Sequence, residues 1–217
     1  MSTPEVVVVV GNGMVGHRFL ERMKKYDTAA KFTLVSIGEE PLPHYNRMLL
    51  TEYFEHLSVD RLKLASSEWY DEQGIALSLQ SRVVAIDRHA KLVTCTRLTN
   101  DGSPSTTFTV SYDRLVLATG SSAAMPSVPG VMLRGVFGYR TIADLDAVIA
   151  YCHAHKQAPT GPKKVALVVG GGLLGLEAAK AIHDLGVGRG MEMVEEPDVT
   201  VTSEGGGCSG RDARLEW

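Results

Sequence analysis

The chain has 217 residues, 44% of them hydrophobic and 22% charged, an ordinary globular composition with length for one or two domains. A formal net charge of -3 excludes the basic balance that marks nucleic-acid or polyanion binding. Its three cysteines, Cys95, Cys152 and Cys208, form no CxxC pair, which excludes zinc-knuckle and redox-disulfide motifs and fits a reducing, cytoplasmic setting.

The N-terminus enters an apolar strand without the cationic stretch and cleavage site of a secretory leader, and Val6 to Val10 is too short to span a membrane. "EVVVVV" is a continuous β-branched run, as in a strand buried on both faces. "GNGMVG" turns it into a helix. Val15, Phe19 and Met23 recur at four-residue spacing with Leu20 alongside, while Arg18, Glu21, Arg22, Lys24 and Lys25 cover the other face. Lys31 to Ile37 reads as a second strand, ending at Gly38-Glu39-Glu40.

Pro41 and Pro43 open an irregular stretch. Residues 60 to 117 are strand-rich and broken by turns, which predicts an antiparallel meander inserted in an α/β domain. "RTIADLDAVIAYCHAHK" is helical, with Leu145, Ile149 and Cys152 near one face, and "QAPTGPKK" is a turn or linker. Then "KVALVVGGGLLGLEAAKAIHDLG" repeats the opening strand–turn–helix pattern, and two such units predict two nucleotide sites. After Gly186 the pattern stops. "PDVTVTSE" reads as a short strand and "GGGCSGRDARLEW" has no periodicity, as in a disordered tail.

The glycines have separate tasks. Gly11 permits the tight turn, Gly13 lets backbone approach a pyrophosphate, and Gly16 lets helix and strand pack closely. The N–H groups at the helix start then face the anion. The strand before, the amphipathic helix after and carboxylates about 20 residues on raise this above an isolated glycine motif. Glu39 comes first after the second strand and is the favoured ribose ligand, with Glu40 the alternative. Gly170, Gly172 and Gly175 repeat the logic in the second turn, and Glu177 follows on its helix, suited to a role near a nicotinamide. Arg47, ordinarily a surface residue, here follows the ribose carboxylates and can reach a pyrophosphate as a bidentate donor. "LVLATGS" is a buried strand whose small residues at its end suit a backbone passing close to a flavin. The histidines are scattered, His17 fits a helix-surface position, and no metal site or acid–base group is assigned.

These motifs, in this order, resemble the two-dinucleotide-binding flavoprotein superfamily over residues 5 to 186. Within it, "VVGNGMVGHRFLERM", "IGEEPLPHYNRMLLTEYF", "YDRLVLATGS", "FGYRTIADLDAV" and "VVGGGLLGLEAAKAIHDLG" are most similar to the N-terminal flavin module of assimilatory-type NAD(P)H nitrite reductase. Ferredoxin- and rubredoxin-type reductases usually carry a lysine where Glu52 stands, so Glu52 favours the nitrite-reductase branch; disulfide and peroxide reductases carry a redox cysteine in the loop at 41 to 52, and this chain has none there.

The resemblance implies a Rossmann-like FAD-binding domain with an inserted antiparallel meander over residues 1–158. The first βα unit of a second, incomplete NAD(P)-binding domain would follow over 159–190, and an atypical tail over 191–217. It implies hydride transfer from NAD(P)H to FAD, with electrons passed on toward nitrite in nitrate assimilation and no side chain as acid or base. Gly11, Gly13, Met14, Val15, Gly16, Glu39, Glu40, Arg47, Ala118, Thr119 and Gly120 carry over to FAD. Val83 would contact adenine through its backbone and Arg140 would assist the phosphates. Gly170, Gly172, Leu173, Leu174, Gly175 and Glu177 carry over to NAD(P)H. NADH and NADPH both stay open, as does a homodimer.

The family's FAD domain resumes after its NAD(P)H domain, and its iron–sulfur and siroheme acceptor domains need cysteine ligands; neither part stands in this sequence. The expectation is therefore a shortened or frame-altered reading of a longer protein, with weak or no FAD retention and no nitrite reduction. A nucleotide-binding remnant without turnover and a ferredoxin- or rubredoxin-reductase-type flavoprotein are the alternatives.

Overall fold

The computed structural model describes residues 3–155, 166–185, 191–194 and 213–214. The chain divides into two compact units, residues 1–47 with 59–122 and residues 48–58 with 123–217.

The first unit is built on a parallel sheet. Strand β1 (Glu5–Val10) leads through the glycine turn into α1 (Met14–Tyr26) and back to β2 (Phe32–Ile37). Two four-residue strands, β3 (Ile75–Ser78) and β7 (Arg114–Leu117), complete the order β3-β2-β1-β7, all pairs parallel. The continuous valine run has its expected cause. Val7 and Val9 pack with Leu20, Leu34, Tyr70 and Ile75 on the helical face, while Val8 and Val10 pack with Ile37, Val93, Cys95 and Tyr112 on the other. Each valine so buried contributes about 1.5–3 kcal/mol. The second face is covered by an antiparallel meander of β4 (Ser81–Asp87), β5 (Leu92–Leu98) and β6 (Pro104–Ser111).

The meander is thus smaller than the expected one, which takes in the strand-rich stretch from 60 to 117. The structure gives β3 and β7 to the parallel sheet and places a helix, α3 (Ser67–Glu72), before β3. Four-residue apolar runs have no period that separates a parallel strand from a meander strand.

Helix α3 also corrects the placement of His17. That residue is 5% exposed, not on the helix surface. Trp69 and Tyr70 of α3 lie against its ring at 4.7 and 5.8 Å between centroids, and His44 stacks on it at 4.5 Å. The Tyr70 hydroxyl donates to Asn12 Oδ1 (2.7 Å), so its oxygen is left to accept from His17 Nδ1 (2.9 Å). Among the described residues, Asn12 Nδ2 and His44 Nδ1 have no hydrogen-bond partner, an arrangement that costs stability.

The second unit contains α2 (Leu50–His56), α4 (Ile142–Ala154), the strand β8 (Ala166–Val169) and α5 (Leu173–Asp184), with the short strands β9 (Met191–Val194) and β10 (Ala213–Arg214). Helix α4 begins with a capping box, in which Thr141 Oγ1 accepts from the Asp144 N–H and the Asp144 carboxylate accepts from the Thr141 N–H. Its Leu145, Ile149 and Cys152 are buried, together with Ile142 and Val148. Tyr53 of α2 donates to Asp146 of α4 at 2.6 Å. Strand β9 pairs parallel with β8 and antiparallel with β10. Both short strands fall in the stretch read as an irregular tail, because two to four residues are too few to show a period. "PDVTVTSE" and the linker "QAPTGPKK" at 157–164 lie outside the described residues. No described helix is long and apolar enough to cross a membrane.

The two histidines give the first unit a pH dependence. Burial pushes His17 below its ordinary value, opposed by Glu21 and helped by Arg18; burial pushes His44 down to about 4, helped by His17 and Arg47 and opposed by Glu21. At neutral pH both rings are largely uncharged whether the chain is folded or not. Below about 6.5 the unfolded chain binds protons that the folded chain refuses, so stability falls as pH drops toward 4, by at most about 1.4 kcal/mol per pH unit for each ring. Urea midpoints should therefore fall between pH 7 and pH 5, and His44→Gln should flatten that fall.

Candidate functional site

The exit of β1 is where the first unit is tightest. Gly11 has φ of +107° and donates its N–H to the Ile37 carbonyl at 2.8 Å. A Cβ on Gly11 would overlap the carbonyl oxygen of Ala118, and one on Gly16 would overlap the carbonyl oxygen of Gly11. Gly13 is different: a Cβ there meets nothing within 4 Å. It is the extended N-cap of α1, and its carbonyl takes the first helical bond from the His17 N–H at 3.0 Å. The N–H groups of Met14, Val15 and Gly16 therefore open the helix with no helical carbonyl to receive them, as an anion site requires.

The other predicted residues of this unit sit at or near the same sheet edge. Strand β7 ends beside the turn, with the Ala118 N–H donating to the Val10 carbonyl at 2.8 Å, and Thr119 and Gly120 follow, exposed. Glu39 and Glu40 follow β2 directly but face different partners. Glu39 is exposed and pairs with Arg82 of β4 at 2.5 Å. Glu40 pairs with Arg47 and accepts from the Tyr45 hydroxyl at 2.6 Å, while Arg47 also donates to that hydroxyl at 2.8 Å and lies over the Tyr45 ring. Val83 is half-buried on β4, within the meander.

The second turn reproduces the first. Gly170 has φ of +118°, and a Cβ on Gly175 would overlap the Gly170 carbonyl oxygen. Nothing lies within 4 Å of a Cβ on Gly172, the N-cap of α5, whose carbonyl accepts from the Leu176 N–H at 3.1 Å. Leu173 and Leu174 at the helix start are exposed. Glu177, one turn on, accepts from Thr51 Oγ1 of α2 at 2.9 Å, and Thr51 also meets the Tyr139 hydroxyl at 3.2 Å. Tyr139 stacks on Phe54 at 5.9 Å and burial pushes its phenol up. Arg140 belongs to this unit, just before α4, with its N–H given to Asp144 Oδ2.

Sequence reading missed the support around both turns: Asn12, Tyr70 and His17 under the first, Arg82 beside Glu39, and Thr51 and Tyr139 beside Glu177. Apart from the GNG motif itself, these are single polar residues far apart in sequence, and only the folded chain brings them together.

An open parallel sheet with a glycine turn at its strand ends, repeated in a second unit, defines an α/β protein of the dinucleotide-binding class. The family model for pyridine nucleotide-disulphide oxidoreductases matches residues 5–206, and the chain belongs to that family. It is 42% identical, over 85% of its length, to the nitrite reductase [NAD(P)H] large subunit of Klebsiella oxytoca, and 44% identical, over 82%, to the nitrite reductase [NAD(P)H] of Emericella nidulans. It spans only 18% and 15% of those two relatives. Among solved structures, the NAD-dependent persulfide reductase of A. fulgidus superposes with a TM-score of 0.70 at 24% identity, over 87% of this chain and 33% of that one, a likeness of fold.

The glycine contacts predict which substitutions the fold rejects. Gly16→Ala forces a methyl onto the Gly11 carbonyl and should destabilise the first unit by about 1–3 kcal/mol, read as a lowered urea midpoint. Gly175→Ala should do the same to the second unit, on the Gly170 carbonyl.

Proposed function

We propose that this chain is the FAD- and NAD(P)H-binding module of an NAD(P)H-dependent oxidoreductase of nitrite-reductase type, carrying electrons toward nitrite reduction in nitrate assimilation. The observation that carries the reading is the repeated turn. In each, the first glycine is held at positive φ, the third is pressed on the first one's carbonyl, and the middle one faces open space. Close packing explains Gly11, Gly16 and Gly175, and positive φ explains Gly170; a ligand that needs backbone access explains the middle glycines.

The residues present fit the two cofactors. In the first unit the N–H groups of Met14, Val15 and Gly16 would hold the FAD pyrophosphate, with Gly11 and Gly13 giving it access and Arg47 its guanidinium. Glu39 would accept from the adenosine ribose, with Glu40 anchoring Arg47, and the Val83 backbone would meet adenine. The backbone of Ala118, Thr119 and Gly120 would pass near the flavin. In the second unit Gly170, Gly172, Leu173, Leu174 and Gly175 would hold NAD(P)H, with Glu177, fixed by Thr51, near the nicotinamide. Bound FAD supplies the redox chemistry, accepting a hydride from NAD(P)H and releasing electrons singly to an iron–sulfur or siroheme acceptor. The protein's part is to bind, orient and set polarity, with no side-chain acid or base required. The proposed layout is an FAD domain over 1–158 and the start of an NAD(P)H domain over 159–190.

The test is the visible spectrum of the purified chain after incubation with FAD and removal of excess, before and after anaerobic NADH or NADPH. The proposal expects retained flavin bands that bleach with one of the two nucleotides. Bands that persist with both would support the alternative of a binding module without turnover, and a colourless chain would contradict both.

A further inference from the structure

The Glu39–Arg82 pair joins two ends that the backbone already holds together. At the exit of β2, the Gly38 N–H donates to the Ser78 carbonyl at 2.8 Å, and the Gly38 carbonyl accepts from the Ser81 N–H at 2.9 Å. Two residues on, the Glu40 carbonyl accepts from the Gln80 N–H at 3.1 Å. The turn between β3 and β4 is itself tied, with Ser81 Oγ donating to the Leu79 carbonyl at 2.9 Å and meeting Ser78 Oγ at 3.1 Å. Ser81 is 2% exposed. Gly38 lies against Asn12 of the glycine turn, where a Cβ would approach the Asn12 Cβ at 2.9 Å. The start of β4 is therefore fixed relative to both the acidic strand end and the turn. Arg82, the next residue, sends Nη2 to Glu39 Oε1 at 2.5 Å.

Only one carboxylate oxygen is used. Glu39 Oε2 has no hydrogen-bond partner among the described residues. An exposed glutamate on an irregular segment otherwise samples several rotamers, and a ligand that uses it must pay to freeze them. A guanidinium on one oxygen fixes the side chain and leaves the second oxygen to accept from hydroxyl groups. A pair this exposed contributes little to fold stability, so its expected effect lies in orientation.

We propose that Arg82 is a positioning residue that aims Glu39 at the ribose hydroxyls of the adenosine held at the first glycine turn. The inference rests on the dinucleotide reading of that turn and adds a residue and a mechanism to it. The ligand feature read is the vicinal diol of an adenine nucleotide, and the read-out atom is Glu39 Oε2.

The test uses equilibrium titrations of the full chain with FAD, ADP and 2′,3′-dideoxy-ADP, with melting temperatures recorded alongside. Arg82→Ala should weaken FAD and ADP by about 3- to 10-fold without changing the melting temperature, and Arg82→Lys should recover most of the loss. The penalty should vanish with 2′,3′-dideoxy-ADP, and it should vanish in a Glu39→Ala background, where the double variant binds like Glu39→Ala alone. Wild-type affinity for ADP in Arg82→Ala would overturn the proposal, as would a penalty that persists with the dideoxy probe, since Arg82 would then act on phosphate by charge. A wild-type chain that binds neither FAD nor ADP would overturn the dinucleotide reading itself, and the proposal with it.

Discussion

Three backbone segments meet at the first glycine turn with no room for a side chain between two of the contacts. Gly11 abuts the carbonyl of Ala118, and Gly16 abuts the carbonyl of Gly11. The end of β7, the end of β1 and the start of α1 are thereby drawn to one point at the carboxyl edge of the sheet, where open α/β sheets bind ligands. The rest of the unit serves that convergence. Valines on both faces of β1 fix the strand between helices and meander, and the Asn12–Tyr70–His17 chain ties the turn to α3. The second turn repeats the same contact between Gly175 and Gly170.

Much of this was legible in the sequence because it rests on local signals. A β-branched run, a glycine turn and a helix with one apolar face are strong patterns over about 20 residues, and they occur twice. The close approach at Gly16 was legible too, since spacing alone demands it. What was not legible is what depends on partners remote in sequence. His17 has the spacing of a surface residue and is buried only because α3 folds over it, from more than 50 positions away. Strands β3 and β7 are four residues each and acquire their parallel identity from β2 and β1. The two glutamates after β2 look equivalent in sequence, yet one is held by Arg47 and Tyr45 while the other faces solvent with Arg82.

That difference bears on how the site would work. Glu40 is committed to a knot with Arg47 and Tyr45, which would leave Glu39 as the carboxylate for the proposed nucleotide. The same division of labour appears beside the second turn, where Thr51 holds Glu177 while itself meeting Tyr139. In both places an acidic residue near the glycine turn is oriented by a polar partner from a different element. Such support does no chemistry. It reduces the ordering that a ligand must impose, which is the part a protein can contribute when the reaction itself belongs to cofactors.

The claim at the centre is that the open space at Gly13 is there for a ligand rather than for the fold. A side chain at Gly13 meets nothing in the protein and has an allowed extended backbone, so Gly13→Val should fold normally. Its bulk would stand where a pyrophosphate must approach the helix start. The most direct measurement is an equilibrium titration of FAD into the wild-type chain and into Gly13→Val, with melting curves of both. The account predicts unchanged melting and an affinity for FAD lowered about tenfold or more. Equal affinity in the two chains would contradict it.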